Sequence, residues 1–130
     1  MSEYFSDAEL ACRASGKVIM APGFRSALND LRAEFGEAML VTSACRTPEH
    51  NASVGGNPRS LHMIGNPHYV FDGRALDTCA VDIQTPDGAY RARLIRMALL
   101  RGWSVGVAKT FTHIDLRTRY TAIPQQVFTY

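Results

Sequence analysis

The run Ala80-Val81-Asp82-Ile83 sets an ionisable carboxylate inside an apolar strand pattern. A short apolar run of this kind reads as a buried strand. Burying a carboxylate alone is far too costly for a small fold, so the chain must bring a cation, a metal ion or strong donors to Asp82. Whatever else the chain does, it has to fold around that requirement.

Four histidines are available: His50, His62, His68 and His113. His113 lies in Phe111-Thr112-His113-Ile114-Asp115-Leu116, which reads as a strand. Residues two apart on a strand share a face, so His113 and Asp115 project together. His62 follows Ser60-Leu61. Two imidazoles and one carboxylate make a catalytic zinc set that leaves a fourth position for water. Taken alone, the residues leave two readings open. In one, Asp82 pairs with an arginine and the histidines are satisfied core groups; in the other, the three share a metal.

The remaining pattern gives the architecture. Ser6-Asp7-Ala8-Glu9 is a capping box, opening a short helix expected to run through Leu10 to Ala14 and stop near Gly16. Pro22 opens a second helix, with Phe24, Leu28, Leu31 and Phe35 as one apolar stripe and Gly36 as its stop. Met39 to Ser43 reads as a buried strand. Arg46 to Arg59 reads as loop, with one helical turn after Thr47. Pro86-Asp87-Gly88 turns into a third helix bearing Tyr90, Leu94, Ile95, Ala98 and Leu99 on one face. Trp103 to Val107 and Phe111 to Leu116 follow as antiparallel neighbours. This order predicts an α+β fold, a small antiparallel sheet with helices packed on it. With 130 residues, 46% of them hydrophobic, residues 1–130 are expected to form one domain around one core.

Charge and cysteine usage remove several function classes. A net charge of +2 gives no strong nucleic-acid footprint. No apolar run reaches the length of a membrane span, so membrane insertion is not expected. Met1 to Asp7 has no basic region followed by an apolar run, hence no signal peptide is expected. Cys12, Cys45 and Cys79 are odd in number and form no CxxC, which argues against a disulfide framework and a Cys-rich zinc site. Three small buried thiols suit synthesis in a reducing cytoplasm.

Longer motifs add to this reading. Ser43-Ala44-Cys45-Arg46-Thr47-Pro48-Glu49-His50-Asn51-Ala52-Ser53-Val54-Gly55-Gly56 resembles the "SGYRxPxHNxxVGG" segment of the M15 family of peptidoglycan metallopeptidases, in the branch typified by D-Ala-D-Ala carboxypeptidases and phage endolysins. Ser60-Leu61-His62-Met63-Ile64-Gly65 resembles the start of that family's "SxHxxGxAxDI", and Ala80 to Ile83 its end. Val105-Gly106-Val107 with Phe111 to Asp115 resembles the closing "GxGxY…FxHxD". The motifs stand in family order, and the resemblance runs from about Phe5 to Arg119.

The resemblance implies a Hedgehog/DD-peptidase-like fold. It implies that His62, Asp82 and His113 bind Zn2+ and that Arg46 holds the substrate carbonyl or its developing oxyanion. Ser60 would orient His62 or touch substrate. Asp115 would handle the proton of the zinc-bound water; some relatives place a Glu three residues before the last His, where this chain has Thr110. The implied function is a monomeric zinc-dependent peptidase hydrolysing peptidoglycan stem or cross-link peptides at the cell wall. Made in the cytoplasm, it would be released by a holin or carried by a phage particle. The alternative is a catalytically degenerate binding or structural module of a phage particle.

Asn66 to Cys79 stands where the family pattern has a single residue. This stretch is either a rim that shapes substrate choice or a tolerated surface hairpin, and it adds His68, Asp72 and Asp77 to the candidate metal-binding groups. His50 is expected to bond within the Arg46–Asn51 turn, and Gly55-Gly56 to serve backbone geometry. Trp103, Tyr120, Phe128 and Tyr130 are expected in core and edge packing, not in a sugar platform.

Overall fold

A computed structural model describes residues 3–130. The capping box forms as expected: Ser6 Oγ accepts from the Glu9 N–H, and the Glu9 carboxylate accepts from the Ser6 N–H. The helix it opens, α1 (Asp7–Leu10), ends sooner than the pattern suggests. Ala11 is extended, and the Leu10 carbonyl accepts from the Cys45 N–H instead of from a further helical turn. Helix α2 (Phe24–Phe35) buries the predicted stripe and closes at Gly36, whose φ of 72° lets its N–H reach the Arg32 carbonyl.

Strand β1 (Val41–Ser43) is shorter than expected, because Leu40 is exposed and only Val41 onward pairs. The loop after it contains α3 (Pro48–Ser53), capped by Thr47 Oγ1, which accepts from the backbone N–H of His50. The Asn66–Cys79 stretch is a hairpin of β2 (Asn66–Phe71) and β3 (Arg74–Leu76). Its tip is Asp72-Gly73, both at positive φ (53° and 78°), as a two-residue hairpin turn of the primed kind requires. Then come β4 (Ala80–Gln84), α4 (Gly88–Leu100), β5 (Ser104–Val107), β6 (Phe111–Asp115), α5 (Arg117–Tyr120) and β7 (Val127–Thr129).

The main sheet has the order β1-β4-β6-β5-β7. Its first four strands are antiparallel, and β7 adds to β5 in parallel. Neither α5 nor β7 was expected from the pattern. Val81, Ile83, Val105 and Ile114 point from one sheet face into a core shared with Phe24, Leu28 and Leu31 of α2 and Leu94 and Ala98 of α4. Trp103 packs on Phe24 with ring centroids 5.5 Å apart. By the two-residue period of strands, the alternate residues Asp82 and His113 lie on the opposite face. The α+β plan read from the pattern is therefore the fold, and the helices leave one sheet face for chemistry.

Candidate metal centre

Strand pairing lines up one row of residues across that face. Ser43 pairs with Asp82, Asp82 with His113, His113 with Gly106, and Gly106 with Phe128. Thus two of the three candidate ligands are cross-strand neighbours. The third, His62, arrives on the loop after α3 and is held by its backbone. Its N–H donates to Ser60 Oγ at 3.2 Å, and its carbonyl accepts from the Arg46 N–H at 2.9 Å and from Thr78 Oγ1 at 2.8 Å.

Three side-chain atoms converge. His62 Nε2 is 3.1 Å from Asp82 Oδ1 and 3.2 Å from His113 Nδ1, and His113 Nδ1 is 3.0 Å from Asp82 Oδ1. Bonds of about 2.0–2.1 Å at tetrahedral angles put ligand atoms roughly 3.3–3.4 Å apart, so this triangle fits a small divalent metal within a few tenths of an ångström. The opposite ring nitrogens fix which lone pairs face inward. His62 Nδ1 lies 2.8 Å from the Ala44 carbonyl, which can only accept, so the proton sits on Nδ1 and Nε2 is bare. His113 Nε2 lies 2.7 Å from Asp115 Oδ2, which leaves Nδ1 as the inward nitrogen. This carboxylate–imidazole backing is the usual second layer of a metal site.

Electrostatics agree. Burial favours the neutral form of His62 and lowers its pKa, against the pull of Asp82. Burial works against the Asp82 charge, but His62 and His113 outweigh it and hold the carboxyl below its ordinary range. His113 behaves oppositely. Burial disfavours its cation, yet Asp115 and Asp82 together raise its pKa. A proton on His113 Nδ1 and a metal ion therefore compete for the same place between the three residues. Among the described residues this is the group of His, Cys, Asp and Glu side chains arranged to hold a metal.

Asp115 itself is fully buried behind His113. Arg117 engages both of its oxygens, Nε on Oδ1 at 2.9 Å and Nη2 on Oδ2 at 2.7 Å, and the Arg117 N–H adds a third bond at 2.9 Å. Both oxygens of Asp115 are thereby held, Oδ1 by Arg117 and Oδ2 by Arg117 and His113. Arg46 stands beside Asp82 at the edge of the centre. Its Nη2 is 3.6 Å from Asp82 Oδ2, while Nε donates to Ser43 Oγ and Nη1 to Asn51 Oδ1. Asn51 in turn donates to the Asn57 carbonyl. A Cβ on Gly56 would stand 2.1 Å from Asn51 Oδ1, so the second glycine of Gly55-Gly56 is needed for this close approach.

An open cleft of about 870 Å³ lies over the centre, lined by Arg46, Ser60, His62, Asp82 and His113. Other candidates are placed elsewhere. His68 and Asp72 are exposed on the hairpin, and Asp77 Oδ1 accepts from the Gly65 N–H. Cys12, Cys45 and Cys79 are buried free thiols. Trp103 and Tyr120 belong to the core as expected, but Phe128 and Tyr130 do not simply pack an edge. Their rings stand 5.5 and 6.5 Å from the His113 ring and, with Tyr69 of the hairpin, line the cleft. The alternation Val127-Phe128-Thr129-Tyr130 carried that signal as a strand pattern.

The family model for Peptidase M15 matches residues 3–115, which include Arg46, Ser60, all three converging residues and Asp115. No curated protein matches the chain. With that match spanning most of a chain whose His–Asp–His centre lies open to a cleft, the protein belongs to the Peptidase M15 family.

Proposed function

We propose that the protein is a zinc-dependent peptidase that hydrolyses stem or cross-link peptides of bacterial peptidoglycan. The observation that carries this reading is the convergence of His62 Nε2, His113 Nδ1 and Asp82 Oδ1 at 3.0–3.2 Å on the floor of an open cleft, with Arg46 beside them. Zinc held there supplies a water acidified to a pKa of about 7 and a Lewis acid for the scissile carbonyl. Every other task falls to the chain. Arg46, aimed by Ser43 and Asn51, stabilises charge growing on the carbonyl oxygen. Asp115, clamped by Arg117, keeps His113 turned so that Nδ1 faces the metal. Ser60 fixes the backbone from which His62 projects and borders the bound peptide. Arg59 borders the cleft and suits a carboxylate of a stem peptide. The enzyme works as a monomer at the cell wall, after release by a holin or delivery on a phage particle.

One observation favours a second reading, a degenerate binding module of a phage particle. Asp82 is the sole carboxylate on the cleft walls among the described residues, so no second one stands ready to take the water proton. Purified sacculi separate the two readings. Zinc-loaded protein should release peptide fragments detectable by mass spectrometry, chelation should stop release, and added zinc should restore it. Sedimentation with sacculi without any fragment release would support the binding module instead.

A further inference from the structure

The cleft extends beyond the metal centre, and Phe128 and Tyr130 in that part lie outside the matched span of residues 3–115. Gly106 is the gap in the cross-strand row: a Cβ there would stand 2.5 Å from the Phe128 ring and 3.0 Å from that of Tyr130. The missing side chain lets both rings lean from β7 back toward His113. Phe111 meets Tyr130 edge-on at 5.3 Å, and Phe128 lies 5.8 Å from Tyr130. The result is one aromatic wall next to the metal centre, anchored by the Tyr130 N–H on the Val107 carbonyl and by Arg117 stacked over Phe128 at 5.0 Å. Tyr69 of the hairpin lines the same cleft, and the hairpin is braced against the body by Phe71 on Tyr120 at 4.9 Å.

The dimensions decide what such a cleft takes. From β4, which carries Asp82, to β7 there are three strand spacings in the sheet order, about 14 Å, or roughly four extended residues. On the other side of Asp82 the cleft continues past Arg46 to Gly56 and Asn57. A volume of about 870 Å³ is near the top of the range of roughly 300–1,000 Å³ that suits drug-sized ligands, far more than one small terminal residue needs. Aromatic faces gain most from an apolar or long-chain neighbour, not from a single methyl side chain.

We propose that Phe111, Phe128 and Tyr130 form a binding subsite for the residue flanking the scissile bond, and that the cleft holds peptide on both sides of the metal, so that the protein is an endopeptidase. The inference rests on the peptidase reading above. The residue in the aromatic subsite carries an extended methylene chain, as diaminopimelate does. The reaction is hydrolysis of an internal amide: water adds across the C–N bond, leaving one new carboxylate and one new amine.

The test offers zinc-loaded protein two peptides. One is a free stem pentapeptide ending in D-Ala-D-Ala, and the other is its cross-linked dimer through diaminopimelate. Mass spectrometry should show internal cleavage of the dimer at least tenfold faster than release of terminal D-Ala. Tyr130→Ala should keep its metal and raise KM for the dimer by tenfold or more. Calorimetry with a dimer whose amides are reduced should show the same loss of affinity without turnover. Free D-Ala as the main product, or an unchanged KM and affinity in Tyr130→Ala, would overturn the inference while leaving the peptidase reading standing. Hydrolysis of neither peptide nor of sacculi would remove the peptidase reading as well.

Discussion

Asp82 and Asp115 sit on paired strands with opposite surroundings, and their roles follow from that. Asp82 Oδ1 meets the inward nitrogens of two imidazoles, whereas Asp115 meets the outer nitrogen of one ring and a guanidinium. Asp82→Ala, His62→Ala and His113→Ala should each abolish stoichiometric metal binding, measured by mass spectrometry of metal content, with circular dichroism near that of the parent. Asp115→Asn should act differently. Losing a backing carboxylate typically costs 10–100-fold in metal affinity, so excess zinc should largely restore its turnover. If Asp115 carried the proton itself, zinc-saturated Asp115→Asn would stay inactive. Arg46→Ala should lower kcat by roughly a hundredfold or more, as for a lost oxyanion donor, and Arg46→Lys should recover only part because the planar fork is gone. At this scale the sequence was informative where chemistry is local. An Asp in an apolar strand and a His two residues from an Asp announce themselves by pattern. The covering of Asp115 by Arg117 depends on α5, which no periodicity marks, so its depth was not legible.

The elements divide into those that build the core and those that shape the cleft. Leu28 is fully buried on α2, and Leu28→Ala should destabilise the fold by about 2–5 kcal/mol in urea titration without changing metal stoichiometry. The hairpin is separable only in part. Its arms reach the cleft through Tyr69, but its base braces the site: Thr78 Oγ1 holds the His62 carbonyl and the Cys79 N–H holds that of Leu61. Replacing residues 67–75 with a short Gly-Asn turn should therefore keep the metal bound and raise KM, whereas cutting through Thr78 should weaken metal binding too. An unchanged KM after the shorter deletion would show that the hairpin only decorates the rim. Helix α2 was legible from its stripe and its stop glycine. The early end of α1 was not, because a distant partner, Cys45, claims the carbonyl of Leu10.

The molecule as a whole is a sheet with one greasy face and one chemical face. Four antiparallel strands and the helices over them could be read from alternation and spacing, since each strand carries its own apolar residues inward. The parallel edge strand β7 was hidden, because it gains its place from Gly106 beneath it and from rings that look, in sequence, like ordinary edge packing. His62, Asp82 and His113 come from a loop and two strands, and only the folded chain makes them neighbours. The chemistry therefore depends on one point in space. A crystal of the zinc-loaded protein, with anomalous data collected on both sides of the zinc edge, would locate that point. A single strong peak is expected about 2.0–2.2 Å from His62 Nε2, His113 Nδ1 and Asp82 Oδ1. A zinc peak elsewhere, or one bound to His113 through Nε2 with Asp115 swung away, would contradict it.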